Sequence, residues 1–94
     1  MFNLILTTNA ESQIIANCDF YEAQLPGLGV RFLEQLESAF DKISENPQHY
    51  SYMFPGKKYR DIKFRTFPYV AIFEHEKNDV IVLAVLNTHQ ETKF

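Results

Sequence analysis

A single cysteine, Cys18, is all that 94 residues offer, so no internal disulfide can staple this chain. Its stability has to come from packing, and a reducing cytoplasm is the expected compartment. Long apolar runs are also missing. The longest, residues 80–86, is far too short to cross a bilayer. The first residues lack the basic region and extended apolar stretch of a secretory leader. There is no repeat, no low-complexity segment and no Gly-rich phosphate loop. His49, His75 and His89 show no metal-ligand spacing, and no Ser/His/Asp pattern is visible. These absences argue against a disulfide scaffold, a membrane-spanning protein, a metalloenzyme and a serine hydrolase. No cofactor is expected.

Apolar and aromatic residues are plentiful, with nine Phe and five Tyr in a chain that is 46% hydrophobic. That suffices for one core, and residues 1–94 are expected to form a single domain. Charge is distributed unevenly. Residues 57–65 hold five of the nine Lys and Arg residues against one acid, Asp61, for a local net charge of +4. The whole chain is −3, so everything outside this window sums to −7. Such segregation points to a partner surface rather than to solubility alone.

Residues 2–7 read as a β-rich first strand. Thr8 and Glu11 then have the spacing of a capping box, which predicts a helix to about Gln24 with Ala10, Ile14, Cys18 and Tyr21 on its apolar stripe. Pro26, Gly27 and Gly29 break it. A second helix is predicted over residues 30–45, with Leu33, Leu36, Phe40 and Ile43 at helical spacing and Glu34, Glu37, Asp41 and Glu45 on the other side. Asn46 and Pro47 stop it, and the short linker implies an antiparallel helix hairpin.

Three strands follow the aromatic segment around Tyr50, Tyr52 and Phe54: residues 59–65, 67–74 and 79–87. Short connections make them an antiparallel meander. Pro68, without an amide proton, belongs at a strand start or bulge. The fold class is therefore α+β, ordered β-α-α-β-β-β. The last strand is apolar at every position from 80 to 86, which calls for cover on both faces of the sheet. A helix pair covers one; the C-terminal tail, a loop or another chain has to cover the other. Arg60 shares a strand face with Ile62 and Phe64, where a guanidinium needs a partner; Glu34 or Glu37 is expected to supply it. Cys18, on the stripe of the first helix, reads as a core residue.

The order and spacing of several short features carry a resemblance over nearly the whole chain. They are Gly29 with Phe32 and Leu33, the Asn46-Pro47 stop, Tyr59-Arg60-Asp61-Ile62 leading into Phe67-Pro68-Tyr69-Val70-Ala71-Ile72-Phe73, and Val82-Leu83-Ala84-Val85-Leu86. Together they resemble the RelE/ParE superfamily of bacterial toxins from type II toxin–antitoxin modules, and the ParE branch more than RelE. The resemblance implies a growth-arresting toxin neutralised by a cognate antitoxin, whose C-terminal segment wraps the toxin. ParE-type members poison DNA gyrase without being nucleases. RelE-type members cleave messenger RNA on the ribosome.

Carried over residue by residue, the nuclease pattern is incomplete. Lys63 and Arg65 fall near basic positions of RelE-type enzymes, with His89 the one titratable group of the tail near neutral pH. The position after Tyr69, commonly Arg in RelE-like chains, is Val70. Asn87 and Gln90 stand where ParE-like relatives often show His and Arg. The expectation is a ParE-like inhibitor of gyrase, with Lys57, Lys58, Arg60, Lys63, Arg65 and Tyr69 meeting a protein partner. Two alternatives stay open at this level: a ribosome-dependent nuclease using Lys63, Arg65 and His89, and a member that only binds its antitoxin.

Overall fold

Two helices pack on one face of a four-stranded sheet in the computed structural model, which describes residues 1–53 and 56–88. The elements are β1 (Asn3–Leu6), α1 (Thr8–Gln24), α2 (Leu28–Glu45), a 3₁₀ turn (Pro47–His49), β2 (Arg60–Lys63), β3 (Tyr69–Glu76) and β4 (Asp79–Asn87). The sheet order is β1-β4-β3-β2. β2, β3 and β4 form the expected antiparallel meander, and β1 adds in parallel to β4. The α+β reading holds.

The first helix starts one residue earlier than the capping box suggested. Thr7, in extended backbone, accepts the Ala10 N–H at 3.1 Å, and Thr8 is already helical. Tertiary structure makes the choice between the two threonines, because the Thr7 hydroxyl also donates to the Leu83 carbonyl on β4 at 3.2 Å. Glu11 therefore sits one place too far along to close the box. The stripe of Ala10, Ile14, Cys18 and Tyr21 faces the core as expected.

α2 begins before the expected residue 30 and includes Gly29. Gly27 turns the chain with φ 89°, in the left-handed region that only glycine adopts freely. The Glu22 carboxylate then accepts the N–H groups of Gly27 and Gly29 at about 3.0 Å, capping the helix from its neighbour. Gly29 lies against α1, where an added Cβ would stand 2.9 Å from the Cys18 carbonyl. Leu33 is not central to the apolar stripe. It is 37% exposed, whereas Phe32 is fully buried with Leu36, Ala39, Phe40 and Ile43.

A bulge in β4 explains why its apolar run does not alternate. Ile72 pairs with Ala84 and Phe73 with Val82, which leaves Leu83 as the extra residue. The side-chain parity flips there, so Val80, Val82 and Val85 all join the helix-side core. On the opposite face Val70, Ile72 and Ala84 are buried, and Ile81 and Leu86 are half-buried. Of the three covers considered for that face, the C-terminal tail falls in residues 89–94, which lie outside the described residues, as do Phe54 and Pro55. β3 runs two residues later than expected, with Pro68 just ahead of it. The Pro68 carbonyl accepts the Thr88 N–H at 2.7 Å.

Candidate functional site

β2 is an edge strand, and the basic residues cluster along it and in the segments on either side of it. Lys57, Lys58, Lys63 and Arg65 are exposed. Such charges discourage unwanted strand pairing and at the same time offer a cationic surface. Lys63 borders two depressions. One is a small groove against α2 shared with Gln35, Ser38 and Arg65. The other is an open hollow of about 330 Å³ with His49, Tyr50 and Asp61.

Arg60 is half-buried but has no carboxylate partner on α2, which corrects the expected pairing with Glu34 or Glu37. Its Nη1 donates to the Tyr50 carbonyl, and its guanidinium lies 3.9 Å from the centroid of the Tyr52 ring. The reason is positional. α2 runs over Ile62 and Phe64, while Arg60 is met by the returning segment at Tyr50–Tyr52, with Tyr52 bridging it as a short antiparallel pair. A carbonyl and an aromatic face satisfy the cation without desolvating a second charge.

The acids expected on the outer side of α2 are there. Glu34, Glu37, Asp41 and Glu45 line an open groove of about 480 Å³ with Ser38 and Lys42. The molecule thus presents an acidic helix ridge and a basic sheet edge.

Tyr69 lies inside. It is 4% exposed, its hydroxyl donates to Asn17 Oδ1 at 2.8 Å, and its ring packs 5.1 Å from that of Phe32. In this conformation it ties α1 to the sheet rather than facing outward. Burial, and then the neighbouring Tyr69, push the Tyr21 hydroxyl up to about 12. Tyr50 is also raised, by burial and then by Glu45. Cys18 is half-buried and its thiol lies 3.7 Å from the Gly29 carbonyl. His75 packs edge-on against Phe2, and His49 is exposed. Among the described residues no group of three or more His, Cys, Asp or Glu is placed to hold a metal. His89 lies outside the described residues, so of the nuclease set only Lys63 and Arg65 can be placed.

One grouping went unrecognised in the sequence. Glu74, His75 and Glu76, from the end of β3, share a pocket of about 270 Å³ with Tyr52, Lys57, Lys58 and Arg60. The only available signal was the antiparallel pairing of β2 with β3, which sets Arg60 opposite Phe73, next to Glu74.

The family model described as "ParE toxin of type II toxin-antitoxin system, parDE" matches residues 4–92. Among solved structures, the chain is similar to one from the chromosomal ParDE TA system of P. aeruginosa, with a TM-score of 0.79 at 15% identity. That alignment covers 93% of this chain and 96% of the other, and at such low identity it speaks for a shared fold. No curated protein matches significantly.

Proposed function

The chain belongs to the ParE toxin family of type II toxin–antitoxin systems, and from that premise we propose that it arrests growth by binding DNA gyrase. The family implies a cognate antitoxin as partner. In this reading residues 1–94 act as one domain in the cytoplasm; no helix among the described residues is long and apolar enough to cross a membrane.

The observation that carries the reading is the apolar centre of the sheet face away from the helices. Val70, Ile72 and Ala84 are buried there. RNA cleavage needs groups that move protons and stabilise a charged phosphate, and three buried aliphatic side chains supply neither. The basic groups stand instead at the edge, on β2 and its loop, where they suit contact with an acidic surface. Lys57, Lys58, Arg60, Lys63 and Arg65 are the proposed contact residues, with Tyr69 supporting them from within. Single exposed ion pairs contribute little, so the surface acts through the summed field of several cations.

The test is supercoiling of relaxed plasmid by purified gyrase with the protein titrated in. Supercoiling should be lost, and a cognate antitoxin should restore it. Gyrase that works normally in excess protein contradicts the reading.

A second reading rests on the exposure of Lys63, at the end of β2, and of Arg65 just beyond it. They would serve, with His89, in a ribosome-dependent nuclease. Intact messages in a translating extract containing the protein would remove it.

A further inference from the structure

We propose that the pocket between Tyr52 and the end of β3 binds one nucleotide unit of a single-stranded nucleic acid. The site shares its basic residues with the proposed partner surface but does not depend on gyrase being the target.

Size sets the first limit. At about 270 Å³ the pocket is just below the roughly 300 Å³ at which small-molecule sites begin. It suits one unit of a polymer better than a whole cofactor. Chemistry then selects the polymer. Arg60 covers one face of the Tyr52 ring at 3.9 Å, yet the residue remains 44% exposed. The exposed part of the residue is where a second planar group would meet the ring. Stacking of a base on such a ring is the general device of single-strand recognition.

Lys57 and Lys58 also line the pocket and would supply charge for a phosphate. Glu74 and Glu76 line it as well and are acceptors only. No hydrogen bond or ion pair engages either carboxylate among the described residues. An acidic peptide would satisfy the lysines and be repelled by the glutamates. A basic peptide would meet the reverse conflict. A nucleotide resolves both, because its phosphate is anionic while amino-bearing bases present N–H donors. Adenine, cytosine and guanine carry an exocyclic amino group with two N–H donors for the carboxylates; uracil and thymine offer only the ring N3–H.

Fluorescence anisotropy with labelled single-stranded hexanucleotides, on the full chain, tests this. Binding should weaken with salt at a log–log slope of about −0.7, the value for one neutralised phosphate on a single strand. Uridine or thymidine hexamers should bind more weakly than the others, and a Glu74→Gln/Glu76→Gln double variant should narrow that difference. Tyr52→Leu, a change at an exposed position, should weaken binding roughly 5- to 150-fold, the range for loss of one stacked base. Far-UV circular dichroism confirms that the variant is folded. Absence of binding at low salt overturns the proposal, as does unchanged affinity in Tyr52→Leu. Tighter binding of a hexaglutamate peptide than of any oligonucleotide also overturns it, because the patch would then read charge alone. Supercoiling assays on the same variants report separately on gyrase, so either reading can fail without the other.

Discussion

The backbone N–H of Val85 donates at 2.8 Å to Oε1 of Gln13, joining β4 just past its bulge to the inner side of α1. The neighbouring Leu83 carbonyl accepts from the Thr7 hydroxyl and from Asn9 Nδ2 at 3.1 Å. Polar side chains at the start of α1 thus satisfy β4 backbone groups beyond Val82, where the pairing with β1 ends. Val85 is 1% exposed, so its N–H has no access to bulk water. Gln13→Ala should cost about 1–3 kcal/mol in urea denaturation, the penalty for an unsatisfied buried donor. A change within about 0.5 kcal/mol, typical of a surface site, would refute this role.

Gly29→Ala tests the closest approach of the helix hairpin. The new Cβ would sit 2.9 Å from the Cys18 carbonyl, 3.0 Å from Glu22 Oε1 and 3.2 Å from the Cys18 sulfur. Backbone cannot swing aside, so the helices must part. A loss of about 1–3 kcal/mol is expected from the overpacking, outweighing the better helix propensity of alanine. A more stable variant, measured by thermal unfolding, would show that the contact relaxes freely.

Much of this architecture was legible in residue patterns. The period of α2 and the stop at Asn46-Pro47 are local signals, and the helix ends at Glu45, where they place its end. The bulge was hidden, because a run that is apolar at every position carries no parity to break. Local spacing favours Thr8, with Glu11 three residues on, and the distant Leu83 carbonyl selects Thr7 instead. Phe32 outranks Leu33 because Gly29 brings the helices close and turns that side inward. For the site, the basic cluster was evident from charge alone. The Tyr50 carbonyl and Tyr52 ring beside Arg60 were not, since a loop's return path leaves no periodic trace.

Alkaline pH should expose the burial of Tyr21. Its hydroxyl ordinarily titrates at 10.0 and is raised here to about 12. The fold therefore prefers the neutral phenol, so its contribution is complete below pH 10 and is lost as pH climbs through about 12. Tyr21→Phe keeps the ring and removes the ionisation. The stability of the wild-type chain should fall relative to this variant across that window. Parallel stability–pH curves for the two would contradict the assignment.

Lys63→Glu with Arg65→Glu tests the basic edge. Both residues are exposed, so thermal stability should change little. Affinity for gyrase should fall at least about tenfold, and the difference should shrink at high salt as screening shortens the range of the field. Unchanged affinity at low salt, measured by calorimetry, would remove these residues from the interface.

The most direct test of the account is a pulse-label of DNA and protein synthesis in one culture, minutes after this chain alone is induced. A gyrase poison should depress DNA synthesis first while protein synthesis continues. Protein synthesis falling first, or neither falling, would contradict the central claim.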